Sequence, residues 1–565
     1  MAGCSHAEDA GGPWYTRPLY PPGEAALCGL AGPFLRLQGE SVANRLVRSL
    51  FATGGMTLVS RITGFVRDIL LARLLGTTAL ADAFFVAFRI PSFLRRIFGE
   101  GAFSQAFVPV FASYMHKDAD ALGAETEARA FVDHMAGTFA VILLVVAAVG
   151  VLAAPVIIWI LAPGFIDDPA KYQLAVHLLR ITFPYLVFIS LVAMAAGILN
   201  TRGRFAAAAF TPVLLNLSLI VAAGIVAPHS RQPAVVVAWG VFAGGVLQLL
   251  FQIPFLRRAG FLPRFKYSFR DPGVRRVFQL MVPGIFGSSI AQINLVVDTV
   301  LASFLATGSI SWLYYANRLL EFPLGIFGAA LGTVILPHLS AKHARASVVD
   351  FGHTLDWALR LVIVIAIPAA AALIVLAMPI ILTLYRYGAF TAFDAAMTQR
   401  ALVAFAVGLP AFVLIKILAP GYYARQDTRT PVKIGTIALV ANMGFNVILI
   451  WPLAHAGLAL ATSLSGALNA YLLYRGLRRT GIYRPAPGWG RLWRQVGMAT
   501  SAMVAALIPA TLERRAFLEA GGAHRAMVLG AWVAVGLAVY GTVMWLSGVR
   551  PRALRLQSLG MKEDV

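Results

Sequence analysis

The chain has 565 residues, of which 59% are hydrophobic and only 13% are charged, whereas a soluble globular domain carries about 25% charged residues. This composition argues against a water-soluble fold and predicts an all-α polytopic membrane protein. The apolar runs are continuous rather than alternating, which argues against a transmembrane β-barrel. The net charge of +22 is expected to lie in loops that face anionic lipid, so no nucleic-acid partner is expected.

The N-terminal region differs from the rest of the chain. Residues 1–43 are rich in Gly, Pro and Ala and contain no long apolar run, so they predict a disordered extension rather than a signal peptide. Cys4 and Cys28 both lie in this region and are the only cysteines. Neither a disulfide framework nor a cysteine metal site is therefore expected.

Fourteen stretches are long enough to span a bilayer, which requires about 20 mostly apolar residues. The first, second, seventh and eighth of these are the least apolar. The predicted spans are 49–75, 79–113, 131–161, 174–200, 206–227, 234–256, 276–305, 310–338, 355–385, 396–423, 431–451, 455–476, 492–512 and 525–548.

Basic residues concentrate in the loops after the sixth and twelfth spans and in the C-terminal tail. The positive-inside rule then predicts that both termini are cytoplasmic. The loop between the last two spans, with Arg514, Arg515 and Arg525, fits this orientation least well.

An internal repeat relates the first and second parts of the chain. AFRIPSFLRRIFG begins at Ala87 and ANRLLEFPLGIFG begins at Ala316. A second echo has nearly the same offset and pairs Pro184 with Pro410 and Asn216 with Asn442. Six spans separate equivalent points, so the two parts share one orientation, as in a two-lobed transporter. The predicted organisation is an N-lobe at 44–257, a C-lobe at 258–480, two further helices at 481–550 and a cytoplasmic tail at 551–565.

Charged residues recur on single faces of the least apolar spans. Arg61 and Asp68 share a face of the first span, with Arg67 at its edge. In the second span, Asp82, Arg89, Arg96 and Glu100 are spaced 7, 7 and 4 apart, and Pro91 can rotate the lower part so that Arg95 faces inward. In the eighth span, Tyr314, Asn317, Arg318 and Glu321 form a stripe.

An isolated Arg at the bilayer centre costs roughly 2.5–3.5 kcal/mol on insertion scales, so these stripes predict a water-filled cavity. Guanidinium groups suit phosphate oxygens, and the predicted anion-binding residues are Arg61, Arg67, Arg95, Arg96 and Arg318. The acidic residues among them are predicted to pair with arginines in one conformation and to release them in the other, as gates. These are Asp68, Asp82, Glu100 and Glu321.

A second group of polar residues suggests a cation site. Asp298 lies deep in the seventh span and points away from the expected cavity, Asn442 and Asn446 are four residues apart in the eleventh, and Thr462 is in the twelfth. Carboxylate, amide and hydroxyl oxygens are ligands that Na⁺ accepts. The alternative is that each amide bonds a neighbouring helix. No other cofactor is expected, and Na⁺ or the membrane potential could drive transport.

Several segments resemble the MurJ/MviN family of lipid II flippases, within the multidrug/oligosaccharidyl-lipid/polysaccharide exporter superfamily. They include SRITGFVRDILLARLLG, DAFFVAFRIPSFLRRIFGEGAFSQAFVPVF, YYANRLLEFPLGIFGAALGTVILP and LAPGYYARQDTRTPVKI, and the resemblance runs from about residue 44 to about residue 550. It implies a fourteen-helix fold and alternating access at the bacterial inner membrane, moving undecaprenyl-diphosphate-linked lipid II from the cytoplasmic to the periplasmic leaflet.

The resemblance also implies roles for individual residues. The family's cavity arginines match Arg61, Arg67, Arg95 and Arg318, and its acidic residues match Asp68, Asp82, Glu100 and Glu321. Asn317 departs from relatives that carry Asp there, and the last two helices would form a groove for the lipid tail. Expected partners are lipid II, the phospholipid bilayer and other cell-wall synthesis proteins.

Other functions remain open on the sequence. The alternative substrate is another polyprenyl-diphosphate-linked oligosaccharide. A drug exporter for cations would favour carboxylates and aromatic rings over clustered arginines. An enzyme acting on polyprenyl phosphates would need an acidic metal cluster, and the acidic pairs Asp167–Asp168 and Glu125–Glu127 read as solvated loop charge. A scaffold for cell-wall enzymes would not explain the arginine stripes.

Overall fold

The computed structural model describes residues 55–95, 102–115, 121–325, 348–512 and 514–549. Within these ranges the regular elements are helices, and no strand occurs. The predictions for residues 1–43 and 551–565, and those for Arg96 and Glu100, lie outside the described residues.

Nineteen helices follow one another in the described part. Helix α1 is described over 55–75 and α11 over 309–325. The others are α2 (Ala79–Arg95), α3 (Ala102–Met115), α4 (Ala121–Leu152), α5 (Ala154–Leu161), α6 (Pro169–Thr182), α7 (Tyr185–Thr201), α8 (Phe205–Val221), α9 (Pro233–Ala259), α10 (Pro272–Ser303), α12 (Val348–Val375), α13 (Ala377–Leu384), α14 (Ala392–Tyr423), α15 (Arg429–Leu453), α16 (His455–Arg479), α17 (Trp489–Leu512), α18 (Arg514–Glu519) and α19 (Gly522–Leu546).

Within the described ranges, ten helices or continuous helix pairs are long and apolar enough to cross a membrane. They correspond to the third to sixth and the ninth to fourteenth predicted spans. The four remaining predicted spans are the least apolar ones, and their described parts are α1, α2 with α3, α10 and α11.

The same interruption occurs in both parts of the chain. Helix α4 ends at Leu152 and continues after one residue as the eight-residue α5, and α12 ends at Val375 and continues after one residue as the eight-residue α13. In each case a proline lies in the first turn or two of the short helix, Pro155 and Pro379. A proline cannot donate the hydrogen bond that a continuous helix requires there. The two parts of the chain thus share this interrupted helix as well as the sequence motifs.

Side-chain caps define where several helices begin. The Asp271 carboxylate accepts hydrogen bonds from the backbone N–H groups of Gly273 and Val274 at the start of α10. Thr391 and Asp394 form a reciprocal capping box at the start of α14. Such caps satisfy the N–H groups that a first helical turn leaves free, so these ends are fixed by local sequence.

Candidate functional site

A cavity of about 1150 Å³ lies among the helices. Its walls come from α1, α2, α7 to α11 and α14 to α16. Six cationic side chains line it, whereas Glu321 is the one acidic lining residue among the described residues. The cations are Arg61, Arg67, Arg89, Arg95, Arg318 and Lys416. The predicted arginines that the structure describes therefore share one cavity.

Asp68 is the centre of the charged network beside the cavity, and its side chain is fully buried. It accepts hydrogen bonds from Arg67, at 2.9 Å from Nε and 2.7 Å from Nη2, and from the Tyr314 hydroxyl at 3.0 Å. Its other oxygen accepts from Nε of Arg318, on α11. One carboxylate thus joins two guanidinium groups from helices that are far apart in sequence.

Neutral residues help to hold these arginines. Nη1 of Arg67 donates to Oδ1 of Asn216, on α8, at 3.0 Å, and the Asn216 amide donates to the Ser60 carbonyl oxygen at 3.0 Å. Gly64 lies beside Arg318, where a Cβ would come within 2.9 Å of Nη2. The absence of a side chain at this position on α1 lets the guanidinium of α11 reach Asp68.

Two other predicted residues, Glu321 and Arg61, lie near the C-terminal end of α11. Glu321 accepts from Nη1 of Arg318 at 2.9 Å and from the Asn317 amide at 3.4 Å. The Arg61 guanidinium packs directly against Gly325. Asn317 itself lines the cavity, so this position contributes an amide there and no charge.

Asp82 was predicted to pair with an arginine in one conformation and to release it in the other, and in the present structure its partner is a lysine. It pairs with Nζ of Lys171, on α6, at 3.0 Å. It also accepts from the backbone N–H groups of Gly308, at 2.8 Å, and Ser311, at 3.0 Å. Asp82 does not line the cavity. Asp82 lies in the first turn of α2, whereas Arg89 and Arg95, further along the same helix, line the cavity.

Contacts between the first and second parts of the chain close that end of the cavity. Nε1 of Trp312 donates to the Thr77 hydroxyl at 3.0 Å, and the Tyr315 hydroxyl donates to the Gly76 carbonyl oxygen at 3.3 Å. The Ala389 N–H donates to the Arg73 carbonyl oxygen at 2.9 Å. The cavity lining instead continues toward Thr57, Arg95, Leu324, Tyr423 and Pro431, at the opposite ends of their helices.

Two cations in contact with the cavity or with a predicted site residue, Lys416 and Lys171, were not selected from the sequence. Lys416 lies in the apolar α14, where a single basic residue among hydrophobic ones is itself a signal. Lys171 lies one turn into α6 and reads as an ordinary helix-end residue. Only its contact with Asp82 reveals its role.

The four residues of the predicted cation site come together. Oδ1 of Asp298 accepts from the Asn446 amide at 2.9 Å, and Oδ2 accepts from the Thr462 hydroxyl at 3.3 Å. The Asn446 amide also donates to Oδ1 of Asn442 at 3.0 Å. Oδ1 of Asn446 is buried and has no hydrogen-bond partner among the described residues. No cluster of three or more His, Cys, Asp or Glu side chains occurs in the described part.

The helical fold and its closed-ended, charged cavity define a polytopic membrane transporter. The architecture is similar to that of a solved inward-facing multidrug resistance MATE family transporter of the MOP superfamily, with a TM-score of 0.59 and 16% identity over 75% of this chain and 95% of that one. It is more similar to a solved lipid II flippase MurJ in an inward closed conformation, with a TM-score of 0.73 and 27% identity over 87% of this chain and 98% of that one.

Sequence relatives identify the family. The family model of lipid II flippase MurJ matches residues 71–519. A probable lipid II flippase MurJ of Vibrio cholerae serotype O1 is 46% identical over 522 residues, covering 91% of this chain and 98% of the relative. A lipid II flippase MurJ of Burkholderia cenocepacia is 44% identical over 455 residues, covering 80% and 87%. The chain belongs to the MurJ family, whose members are transporters and not enzymes.

Proposed function

We propose that this protein moves lipid II from the cytoplasmic to the periplasmic leaflet of the bacterial inner membrane by alternating access. The family assignment supports the substrate class. The observation that carries the proposal for this chain is the cavity itself, with six cations against one lining carboxylate. Such a surplus lowers the cost of removing a diphosphate from water.

Orientation and span number complete the proposal. We place both termini in the cytoplasm and count the four charged helical regions as spans, which gives fourteen. With this orientation, the closed end beside Thr77 and Trp312 faces the periplasm and the cavity extends toward the cytoplasm. We also assign α1 to α9 to one lobe and α10 to α16 to the other, which the matching breaks at α4–α5 and α12–α13 support.

Depletion of the native flippase in cells tests the substrate assignment. Rescue by this chain should restore lipid II on the outer leaflet, and Arg61→Ala and Arg318→Ala should each abolish rescue. Arg479→Ala, at the exposed last residue of α16, is the matched control. Equal rescue by the two cavity variants would refute the phosphate-contact role. Transport of a different polyprenyl-diphosphate oligosaccharide in place of lipid II would refute the substrate.

We propose that Asp68 acts as a gate residue. In the present conformation it holds Arg67 and Arg318 together, so both guanidinium groups are partly neutralised. A bound diphosphate would compete for the same donors and weaken the link between α1 and α11. Exchange of partners then couples head-group binding to rearrangement of the helices.

We further propose that Asp298, Asn442, Asn446 and Thr462 form a Na⁺ site that couples transport to an ion gradient. The carboxylate, the hydroxyl and the unsatisfied amide oxygen of Asn446 fit a hard monovalent cation. These residues would hold the ion, which supplies a charge that responds to the membrane potential. Na⁺ should raise the unfolding temperature of the wild type more than K⁺ does, and Asp298→Asn should remove the difference. An unchanged difference in the variant would exclude this site.

A further inference from the structure

The segment between α9 and α10, together with the start of α10, exposes an unusual combination of side chains. Residues 262–276, here called the linker patch, contain five basic residues, all exposed: Arg264, Lys266, Arg270, Arg275 and Arg276. Three aromatic residues alternate with the first of them and are also exposed, Phe265 and Tyr267 at 62% and Phe269 at 49%. Water alone does not favour such exposure of aromatic rings.

Asp271 is the one acidic residue of the linker patch, and its carboxylate does not pair with the exposed basic side chains. Oδ1 of Asp271 accepts from the N–H groups of Gly273 and Val274, at 2.8 and 3.1 Å. Oδ2 lies 2.8 Å from Nδ1 of His134, on α4. Both carboxylate oxygens thus face the protein, and the outward surface remains cationic.

The basic side chains are available to an external ligand. Those of Arg264, Arg270, Arg275 and Arg276 make no hydrogen bond or ion pair with any residue that the structure describes. Nζ of Lys266 is 3.9 Å from Asp133, a distant contact. Five cations therefore face outward without a described protein anion in hydrogen-bond contact.

The backbone of the linker patch, in contrast, is fixed to α4. The Arg264 N–H donates to Oδ1 of Asp133 at 2.7 Å, the Lys266 N–H donates to the Asp133 carbonyl oxygen at 3.2 Å, and the Ser268 N–H donates to the Thr138 hydroxyl at 3.0 Å. A Cβ on Gly137 would overlap the Lys266 backbone. The extended segment thus lies flat against the helix.

Along α4, the linker patch lies where exposed charged residues give way to exposed apolar ones. The attachment residues 133–138 follow the exposed charge of Arg129 and precede Val141, the first large apolar residue that is exposed on this helix. Exposed apolar side chains then continue to Leu152. Aromatic rings prefer the depth between charge and hydrocarbon, and the linker patch holds its three rings at that depth.

We propose that the linker patch is a binding site for the head groups of anionic phospholipids. The aromatic rings enter the head-group layer, and the guanidinium and ammonium groups contact lipid phosphates. The alternation of basic and aromatic residues, the outward charge and the depth on α4 all favour a bilayer surface. Because the linker patch connects α9 to α10, bound lipid holds the connection between the two proposed lobes at the membrane surface.

Lipid titration of the full chain tests the proposal, with phosphatidylglycerol as the probe and native mass spectrometry as the readout. The triple variant Arg264→Ser, Arg270→Ser and Arg275→Ser should lose about tenfold in affinity for phosphatidylglycerol and nothing for phosphatidylcholine. The matched control is Arg479→Ser, Arg484→Ser and Arg494→Ser, which removes the same charge from exposed positions. Equal losses in the two triple variants, or none in the first, would overturn the assignment.

A measurement on the wild type gives an answer if the triple variant does not fold. Hydrogen exchange of the full chain is compared in nanodiscs of phosphatidylcholine with and without phosphatidylglycerol. The amides of residues 269–276 should exchange more slowly when phosphatidylglycerol is present. Identical exchange in the two bilayers would contradict the proposal. Neither experiment involves lipid II, so its outcome is independent of the transported substrate.

Discussion

Replacing Asp68 by Asn tests the charged network with the smallest change in shape. The side chain is fully buried and its oxygens accept from two arginines and a tyrosine. The variant keeps the volume but removes the negative charge. The guanidinium groups of Arg67 and Arg318 remain beside each other, and residue 68 then offers them one neutral amide oxygen in place of a carboxylate.

The expected cost follows from the burial of the partners. Removing one member of a buried ion pair costs about 3–5 kcal/mol because the other charge remains buried. The Arg67 side chain is 10% exposed, whereas that of Arg318 is 29% exposed and retains Glu321. We therefore expect the free energy of unfolding to fall by the low end of this range, about 3 kcal/mol. This loss corresponds to roughly a hundredfold change in the unfolding equilibrium.

Thermal unfolding of the purified full chain measures this loss. Asp68→Asn should lower the unfolding temperature clearly, whereas Asp167→Asn, in an exposed turn, should leave it unchanged. Combining Asp68→Asn with Arg318→Gln should cost less than the sum of the two single changes, because each removes the same interaction. A wild-type unfolding temperature for Asp68→Asn, or strict additivity in the double variant, would refute the central role given to this carboxylate.

Three other variants test separate parts of the structure. Lys416 lines the cavity, so Lys416→Gln should weaken lipid II binding severalfold. Thermal stability should not change, because Lys416 makes no hydrogen bond or ion pair with the described residues, and a loss of stability would contradict this expectation. Asp356 accepts hydrogen bonds from the Tyr483 hydroxyl at 2.7 Å and from the Trp489 indole N–H at 2.8 Å. Asp356→Asn weakens both contacts, so trypsin should cleave the segment before α17 faster. Unchanged cleavage would argue against a role of Asp356 in holding this segment. Arg525 donates to the carbonyl oxygens of Leu382 at 3.1 Å and Ala520 at 2.9 Å, so Arg525→Gln should cost about 2 kcal/mol of stability in thermal unfolding, and wild-type stability would refute the role.

Arg525 also explains why its loop departs from the positive-inside pattern. Its guanidinium is largely buried and donates to carbonyl oxygens at the ends of α13 and α18, where the helix dipole favours a cation. Burial and the nearby charge of Arg525 lower the pKa of Arg386. The charge of Arg525 is thus a structural contact and carries little information on orientation.

The four residues of the candidate cation site were selected from helical periodicity and residue chemistry. Asp298 was assigned to a face away from the cavity, and Asn442 and Asn446 to one face of a helix, from periodicity alone. In the structure Asp298 contacts Asn446 and Thr462, and Asn446 contacts Asn442. Few polar residues occur in these spans, so a buried one has few possible partners, and ion binding at this cluster stays a prediction.

The sequence by itself determined the membrane class and the helical character of the chain, because both follow from composition and from long apolar runs, and a 3.6-residue period selected Arg61, Arg67 and Arg318, which line the cavity. The tertiary structure alone decided that Asp68 joins α1 to α11, that Asp82 belongs to Lys171, and that Lys416 enters the cavity. Periodicity gives the direction of a side chain around its own helix. The depth of that side chain and the identity of the neighbouring helix depend on how all the helices pack together.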